Sequence, residues 1–369
     1  MMKKVLTLGA GKVGRLIAAE MSKTTSVTSV DVSERNLTIL KSLNPSIELL
    51  SKDISSLTPS FYSSFDLVIS GVPGFMGYKT LESILKAKKN VVDISFLPEN
   101  PFNLTELAKK ENVVAITDAG LAPGLSNLIC GHLTKKMSPS LLKIFVGGVP
   151  KYRKWPFEYK APFSFVDVME EYTRVARMKI FGNIVNKEAL SEVEVVDSPI
   201  GSLEAFNTDG VRSLLYTLPE VPTIIEKTLR YPGYANYINV LKQSGFFNTT
   251  PIEHKGVKIS PMEFTSLILD KEFYQSTTDE DIVVLKVIGE SEQETIQFEL
   301  FDRFCKDTGY SAMARTTGYT ATACANLILE GKINPGLHVL EHLGKDDAIF
   351  DYIIKYIKDR KVIVTSSSA

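Results

Sequence analysis

The sequence predicts an α/β protein in two parts. One is an N-terminal doubly wound domain on a parallel sheet, and the other is a second α+β domain with a mixed, largely antiparallel sheet. Three observations predict it. Short apolar strands alternate with helical segments over residues 1–122. A G-A-G-K-V-G turn joins the first strand to the first helix, the mark of a Rossmann domain. Beyond about residue 140 the rhythm changes to strands set among irregular loops rich in proline and aromatic residues.

Val5 to Leu8 is the first strand. The basic start at Lys3 and Lys4 is not read as a signal peptide, because glycines and Lys12 break the apolar stretch at once. Leu16, Ile17, Ala18, Ala19 and Met21 run through the first helix. Val27 to Val30 is a second strand ending at Asp31, and Ser33 caps a helix over Glu34 to Leu43. Ile47 to Leu50, Asp66 to Ser70, Val91 to Ser95 and Val113 to Thr117 supply four more strands. Helices over Tyr78 to Ala87 and Leu104 to Lys110 separate the last three. Alternation of this kind implies parallel pairing with right-handed crossovers.

Residues 123–314 form the expected substrate-binding and dimerisation domain. Its strands are Leu141 to Val149, Glu192 to Val196, and a hairpin of Ile282 to Gly289 with Glu294 to Phe301. Residues 315–369 return to the first domain through a helix over Thr317 to Leu329, and the tail Thr365 to Ala369 is expected to fray. The antiparallel sheet needs covering, so a homodimer or higher homo-oligomer is expected.

The glycine fingerprint has the context its chemistry requires. Gly9 permits the tight turn, Gly11 lets backbone approach a pyrophosphate, and Gly14 lets helix and strand pack closely. Lys12 and Val13 then open a helix whose N-terminus faces the negative charge. Asp31, followed by Val32, is placed to accept from both ribose hydroxyls, which favours NAD over NADP; Arg35 weakens that preference. Later strand ends complete the cofactor crevice, with Asp53 and Ile54 toward the adenine. Ser70, Gly71, Val72 and Pro73 stand toward the nicotinamide, and Ala119 and Pro123 are also expected to bind the cofactor.

Composition excludes several classes. Lys plus Arg number 42 against 43 for Asp plus Glu, so no electrostatic footprint for nucleic acid or an anionic membrane exists. No apolar run reaches 18 residues, so no membrane span is expected. Cys130, Cys305 and Cys324 lack metal-ligand spacing and are odd in number, pointing to a reducing, cytoplasmic setting. His338 and His342 share a face only if H-V-L-E-H is helical, and no third ligand completes a metal site.

Two later stretches carry a resemblance. Asp118-Ala119-Gly120-Leu121-Ala122-Pro123-Gly124-Leu125-Ser126-Asn127 resembles the GxxPGxS/D segment of the saccharopine dehydrogenase family. E-E-Y-T-R-V-A-R-M (170–178), G-S-L-E-A-F-N-T-D-G-V-R-S-L-L (201–215), T-L-R-Y-P-G-Y (228–234) and M-A-R-T-T-G-Y (313–319) resemble its lysine 6-dehydrogenase branch. That resemblance implies NAD-dependent oxidation of the ε-amine carbon of L-lysine, followed by hydrolysis to an aldehyde that cyclises. The saccharopine-forming branch usually carries an acid before the linker proline, where this chain has Ala122. Saccharopine reductase or dehydrogenase and carboxynorspermidine reductase are the neighbouring alternatives. A non-catalytic Rossmann protein that senses NAD is the alternative from another class.

The implied chemistry assigns three tasks. The amine must lose a proton before hydride leaves its carbon, and Asp93 or Asp118, at the ends of the fifth and sixth strands, is expected to handle it. A substrate carboxylate needs a cation, with Arg174 and Arg212 as candidates alongside Arg177 and Arg230. The α-amine needs an acceptor, which Thr208 and Asp209 are placed to offer beside Arg212.

Overall fold

A computed structural model describes residues 2–161 and 163–369. The chain divides into two compact units, Met1–Met137 with Met313–Val364, and Ser138–Ala312 with Thr365–Ala369.

The first unit begins β1 (Lys4–Leu8), α1 (Lys12–Met21), β2 (Ser26–Asp31), α2 (Glu34–Leu43) and β3 (Glu48–Ser51). It continues α3 (Pro59–Tyr62), β4 (Leu67–Ser70), α4 (Gly74–Lys86), β5 (Asn90–Asp93), α5 (Thr105–Lys110), β6 (Val114–Ile116) and α6 (Leu125–Met137). In the second unit come β7 (Leu141–Pro150), α7 (Phe165–Thr173), β8 (Ala176–Ile180), β9 (Asn183–Lys187), β10 (Glu194–Ser198) and β11 (Gly201–Asn207). There follow α8 (Leu214–Thr217), β12 (Thr223–Arg230), α9 (Tyr234–Gln243), β13 (Ile252–His254), β14 (Val257–Ile259) and α10 (Pro261–Phe273). A hairpin of β15 (Asp281–Glu290) and β16 (Thr295–Arg303) leads to α11 (Ala312–Leu329). The chain ends with β17 (Gly336–His338), α12 (Leu340–Gly344), α13 (Asp347–Lys358) and β18 (Val364–Ser368).

The first unit is built on a seven-stranded parallel sheet in the order β17-β6-β5-β4-β1-β2-β3. Every residue of β4 is buried, as is all of β1 after Lys4. Parallel strands covered on both faces read this way, as apolar runs without alternation. Leu6, Leu8, Val68, Val91 and Ala115 share a core with Leu81, Ile84 and Leu85 of α4. The helix expected from Tyr78 begins earlier, at Gly74, because Pro73 occupies its N-cap position and cannot extend the strand.

The first compact unit runs past residue 122, through Met137. Helix α6 stays with the first unit because it packs backbone to backbone on α12. A Cβ on Gly131 would run into the Glu341 backbone, and one on Gly344 into that of Leu128. The histidine pair also separates: His338 ends β17 while His342 lies in α12, so the two do not share a helical face. Among the described residues no group of three His, Cys, Asp or Glu is placed to hold a metal, and no helix is long and apolar enough to cross a membrane.

The second unit carries a nine-stranded mixed sheet with the path β10-β11-β12-β7-β15-β16-β18; β8 joins β12, and β9 joins β8. Its pairings are antiparallel except β12 with β7. One core gathers Tyr159, Tyr172, Phe206, Tyr234 and Phe273. The other gathers Phe145, Val149, Leu203, Leu229, Ile282 and Val284. The tail expected to fray is the edge strand β18, where Ala369 and Thr295 exchange backbone hydrogen bonds at 3.0 Å.

Candidate functional site

The glycine turn has the geometry of a phosphate cradle. Gly9 has φ +95°, open to glycine without strain, and a Cβ there would stand 2.8 Å from the Gly71 carbonyl. A Cβ on Gly14 would run into the Gly9 carbonyl, so helix and turn touch through backbone. Gly11 differs: nothing lies within 4 Å of where its Cβ would be. It is also the N-cap of α1, and no side chain caps that helix. Lys12 and Val13 form the first turn beyond it. An uncapped helix end with clear space before its N-cap fits a dinucleotide pyrophosphate.

Asp31 does not present a free carboxylate. It is 9% exposed. Its Oδ2 accepts from the Ala10 amide at 2.6 Å and from Asn36 Nδ2 at 3.3 Å, while Oδ1 accepts from the Ser33 amide at 2.7 Å. The acid expected to grip a ribose also ties β2 to the glycine turn and to the start of α2. Val32 beside it is 73% exposed. Asp53 is likewise committed locally, accepting from the Ser55 amide and hydroxyl at 2.8 and 2.7 Å, which lowers its pKa. Ile54 packs on the edge of the nucleotide core. Gly71 and buried Val72 follow β4, and Gly71 donates to the Leu8 carbonyl at 2.9 Å.

Asp93 and Asp118 lie at neighbouring strand ends, linked by the Ala119 amide donating to the Asp93 carbonyl at 3.0 Å. Asp93 is fully buried and accepts from the Ser95 hydroxyl at 2.9 Å. Burial pushes its carboxyl up to about 7, and the Asp118 charge adds to the effect. Asp118 is 3% exposed and holds a left-handed backbone at φ +53°. Strained, buried acids of this kind gather at working sites. Pro123 follows close behind, ahead of Gly124 at φ +141°.

The second unit brings the expected substrate residues together, with partners the sequence does not announce. Arg177 grips Asp209 as a fork, Nε to Oδ1 at 2.9 Å and Nη2 to Oδ2 at 2.8 Å. Asp209 is therefore already neutralised. Arg174 pairs with Glu170 one helical turn back. Arg174 feels the charges of Arg212 and Arg177, and burial lowers its pKa. Arg212 is 5% exposed at φ +55°, an uncommon backbone for a long side chain. Thr208 shares a 2.8 Å hydroxyl contact with Thr228 and donates at 2.7 Å to Glu226.

Glu226 is the residue that sequence reading misses. It stands on β12 in T-I-I-E-K-T-L-R, where Glu226, Thr228 and Arg230 occupy alternate positions and so one face of the strand. That run of polar residues within a buried strand is the signal that points to them. Arg230, 3% exposed, pairs with Glu171 at 2.9 Å and lies over the Tyr159 ring at 4.3 Å.

Comparison with known proteins places this geometry. Residues 5–116 match the family described as "Saccharopine dehydrogenase NADP binding domain", and residues 120–363 match "Saccharopine dehydrogenase C-terminal domain". The chain is 23% identical over 321 residues to the mitochondrial alpha-aminoadipic semialdehyde synthase of Bos taurus, covering 81% of this chain but 34% of that protein. It is 26% identical to the "Saccharopine dehydrogenase [NADP(+), L-glutamate-forming]" of Pyricularia oryzae, covering 78% of this chain and 71% of the relative. The fold matches apo saccharopine dehydrogenase (L-Glu forming) from Saccharomyces cerevisiae with a TM-score of 0.81 at 20% identity, over the whole of both chains. These names belong to the branch that the sequence reading set second, behind lysine 6-dehydrogenase. Ala122 before the linker proline is thus no bar to similarity with that branch. The matched nucleotide domain is likewise described by NADP, against the expected preference for NAD. The chain belongs to the saccharopine dehydrogenase family.

Proposed function

We propose that this protein oxidises the CH–NH bond of saccharopine, releasing glutamate and an aldehyde, with NADP as its cofactor. The observation that carries the reading is Asp93: a fully buried carboxyl, held near neutrality beside Asp118, at the ends of the strands of a dinucleotide-binding sheet.

The residues divide the work. Gly9, Gly11 and Gly14 admit the pyrophosphate to the N-terminus of α1. When bound, the nicotinamide supplies the acceptor for the hydride that leaves the amine carbon. Asp93, or Asp118 beside it, takes the proton from the amine nitrogen, and the C–N bond becomes C=N. Water then adds to that carbon and the bond to nitrogen breaks. Arg174 and Arg212 hold a substrate carboxylate. The inward turn of Asp31 supports NADP, since its charge is spent on three donors and Arg35 stands exposed in the first turn of α2.

One observation favours a second reading, the ε-amine of lysine. Arg174, Arg177 and Arg230 each carry an acid partner, so the second unit lacks the surplus of positive charge that a tricarboxylate attracts.

Absorbance at 340 nm decides between them. Saccharopine with NADP is expected to yield NADPH and glutamate, faster than with NAD. Lysine-dependent reduction with ammonia release and no turnover of saccharopine installs the second reading. Cofactor binding without turnover of either amine removes the enzyme reading.

A further inference from the structure

Glu226 has a peculiarity that the proposed reaction does not use. It is 3% exposed, and both hydrogen bonds it receives fall on one oxygen: the Thr208 hydroxyl at 2.7 Å and the Gly210 amide at 3.0 Å both donate to Oε2. No group among the described residues donates to Oε1. The turn is fitted to this side chain, since a Cβ on Gly210 would collide with the carboxylate.

The charges around it are settled except for its own. Glu171 of α7 faces it and is paired with Arg230; Asp209 of the turn faces it and is held by Arg177. On its own strand Thr228 is bonded to Thr208, and its partner across the sheet on β7 is Ile144. Each neighbouring acid has an arginine, and Glu226 has none among the described residues. A buried carboxylate with one oxygen locked and the other unclaimed is a seat for a cation.

We infer that Glu226 Oε1 is the subsite for the substrate's protonated α-amine, so that the second unit recognises an α-amino acid head group. Asp209 lies within electrostatic reach of both Glu226 and Arg174, which sets the amine seat beside the arginines assigned to the carboxylate. The inference rests on the amino-acid substrate proposed above, and both saccharopine and lysine carry the group. Burial supports it by pushing the empty Glu226 carboxyl up to about 8, with Glu171 and Asp209 adding to the rise. At pH 7 the seat is then protonated when empty, and an arriving ammonium expels that proton.

Calorimetric titration of the full chain, with and without NADPH, tests this without turnover. The ligands are saccharopine and lysine, each against its des-amino counterpart, N-(5-carboxypentyl)glutamate and 6-aminohexanoate. The parent is expected to prefer the α-amino ligand by about 10- to 100-fold, the scale of a charge-assisted hydrogen bond. Glu226→Gln is expected to abolish that preference while leaving affinity for the des-amino ligand within about 3-fold. In paired buffers of different ionisation enthalpy, the parent releases about one proton per α-amino ligand at pH 7 and the Gln variant releases none. A preference or a proton release that survives in Glu226→Gln overturns the inference. So does a parent that binds both members of each pair equally, a result that needs no variant to fold. Selective binding with no oxidation of either amine would leave the subsite standing and remove the proposed reaction. Failure of both amino acids to bind removes both.

Discussion

The Asp31 carboxylate accepts a 2.6 Å hydrogen bond from the Ala10 amide, so the end of β2 and the middle of the glycine turn form one piece. An acid in this place is usually read as a ribose hook; here it is also a strut.

Asp31→Asn is therefore expected to weaken NAD and NADP alike. The two backbone donors, from Ala10 and Ser33, use different oxygens of the carboxylate, and one would face an amide NH2. Leaving one such donor unmet costs about 1–3 kcal/mol. Calorimetry with both cofactors should show parallel losses and a lowered Tm. A gain of tenfold or more for NADP with a loss for NAD would restore the ribose-hook role.

The glycines separate folding from binding. Gly11→Ala meets empty space, so its thermal unfolding should match the parent within about 0.5 kcal/mol while dinucleotide affinity drops at least tenfold. Gly14→Ala drives a methyl into the Gly9 carbonyl, and a loss of about 2 kcal/mol or more is expected together with binding. Equal melting curves for the two variants would contradict the cradle geometry.

Asp93 makes a signed prediction about pH. Its carboxyl sits at about 7 in the folded chain against an ordinary 3.8, so the native state holds the proton more tightly. The stability this contributes is complete below about pH 4 and is lost as pH rises to about 7. Asp93→Asn removes the slope: its stability relative to the parent should climb between pH 4 and 7, by up to about 4 kcal/mol, and level off above. Urea unfolding at pH 5, 6, 7 and 8 reads this directly. A parent and variant that run parallel across the range would mean the carboxyl titrates normally.

The parts legible in the sequence are those whose signal is local. Strands β1 to β6 and helices α1, α2, α4 and α5 declare themselves by apolar runs and by caps such as Ser33, whose hydroxyl accepts from the Asn36 amide. β17 does not, because Gly336, Leu337 and His338 are too few to show a period, and they become a strand only beside Val114 to Ile116. The candidate site follows the same divide. Gly9, Gly11 and Gly14 are legible because a turn and a helix start are encoded within a few residues. The commitment of Asp209 to Arg177 and the exposed need of Glu226 are not, since each arises from groups that only the second sheet brings together.

The return of the chain to its first sheet has a consequence for biosynthesis. Ser138–Ala312 must be made before β17 exists, so β6 emerges with its outer side unpaired. At roughly 5–20 residues per second, the ribosome holds that edge open for on the order of ten seconds or more. The nascent nucleotide unit thus spends its first moments with an unguarded strand, the condition under which neighbouring chains on a polysome add to one another's sheets.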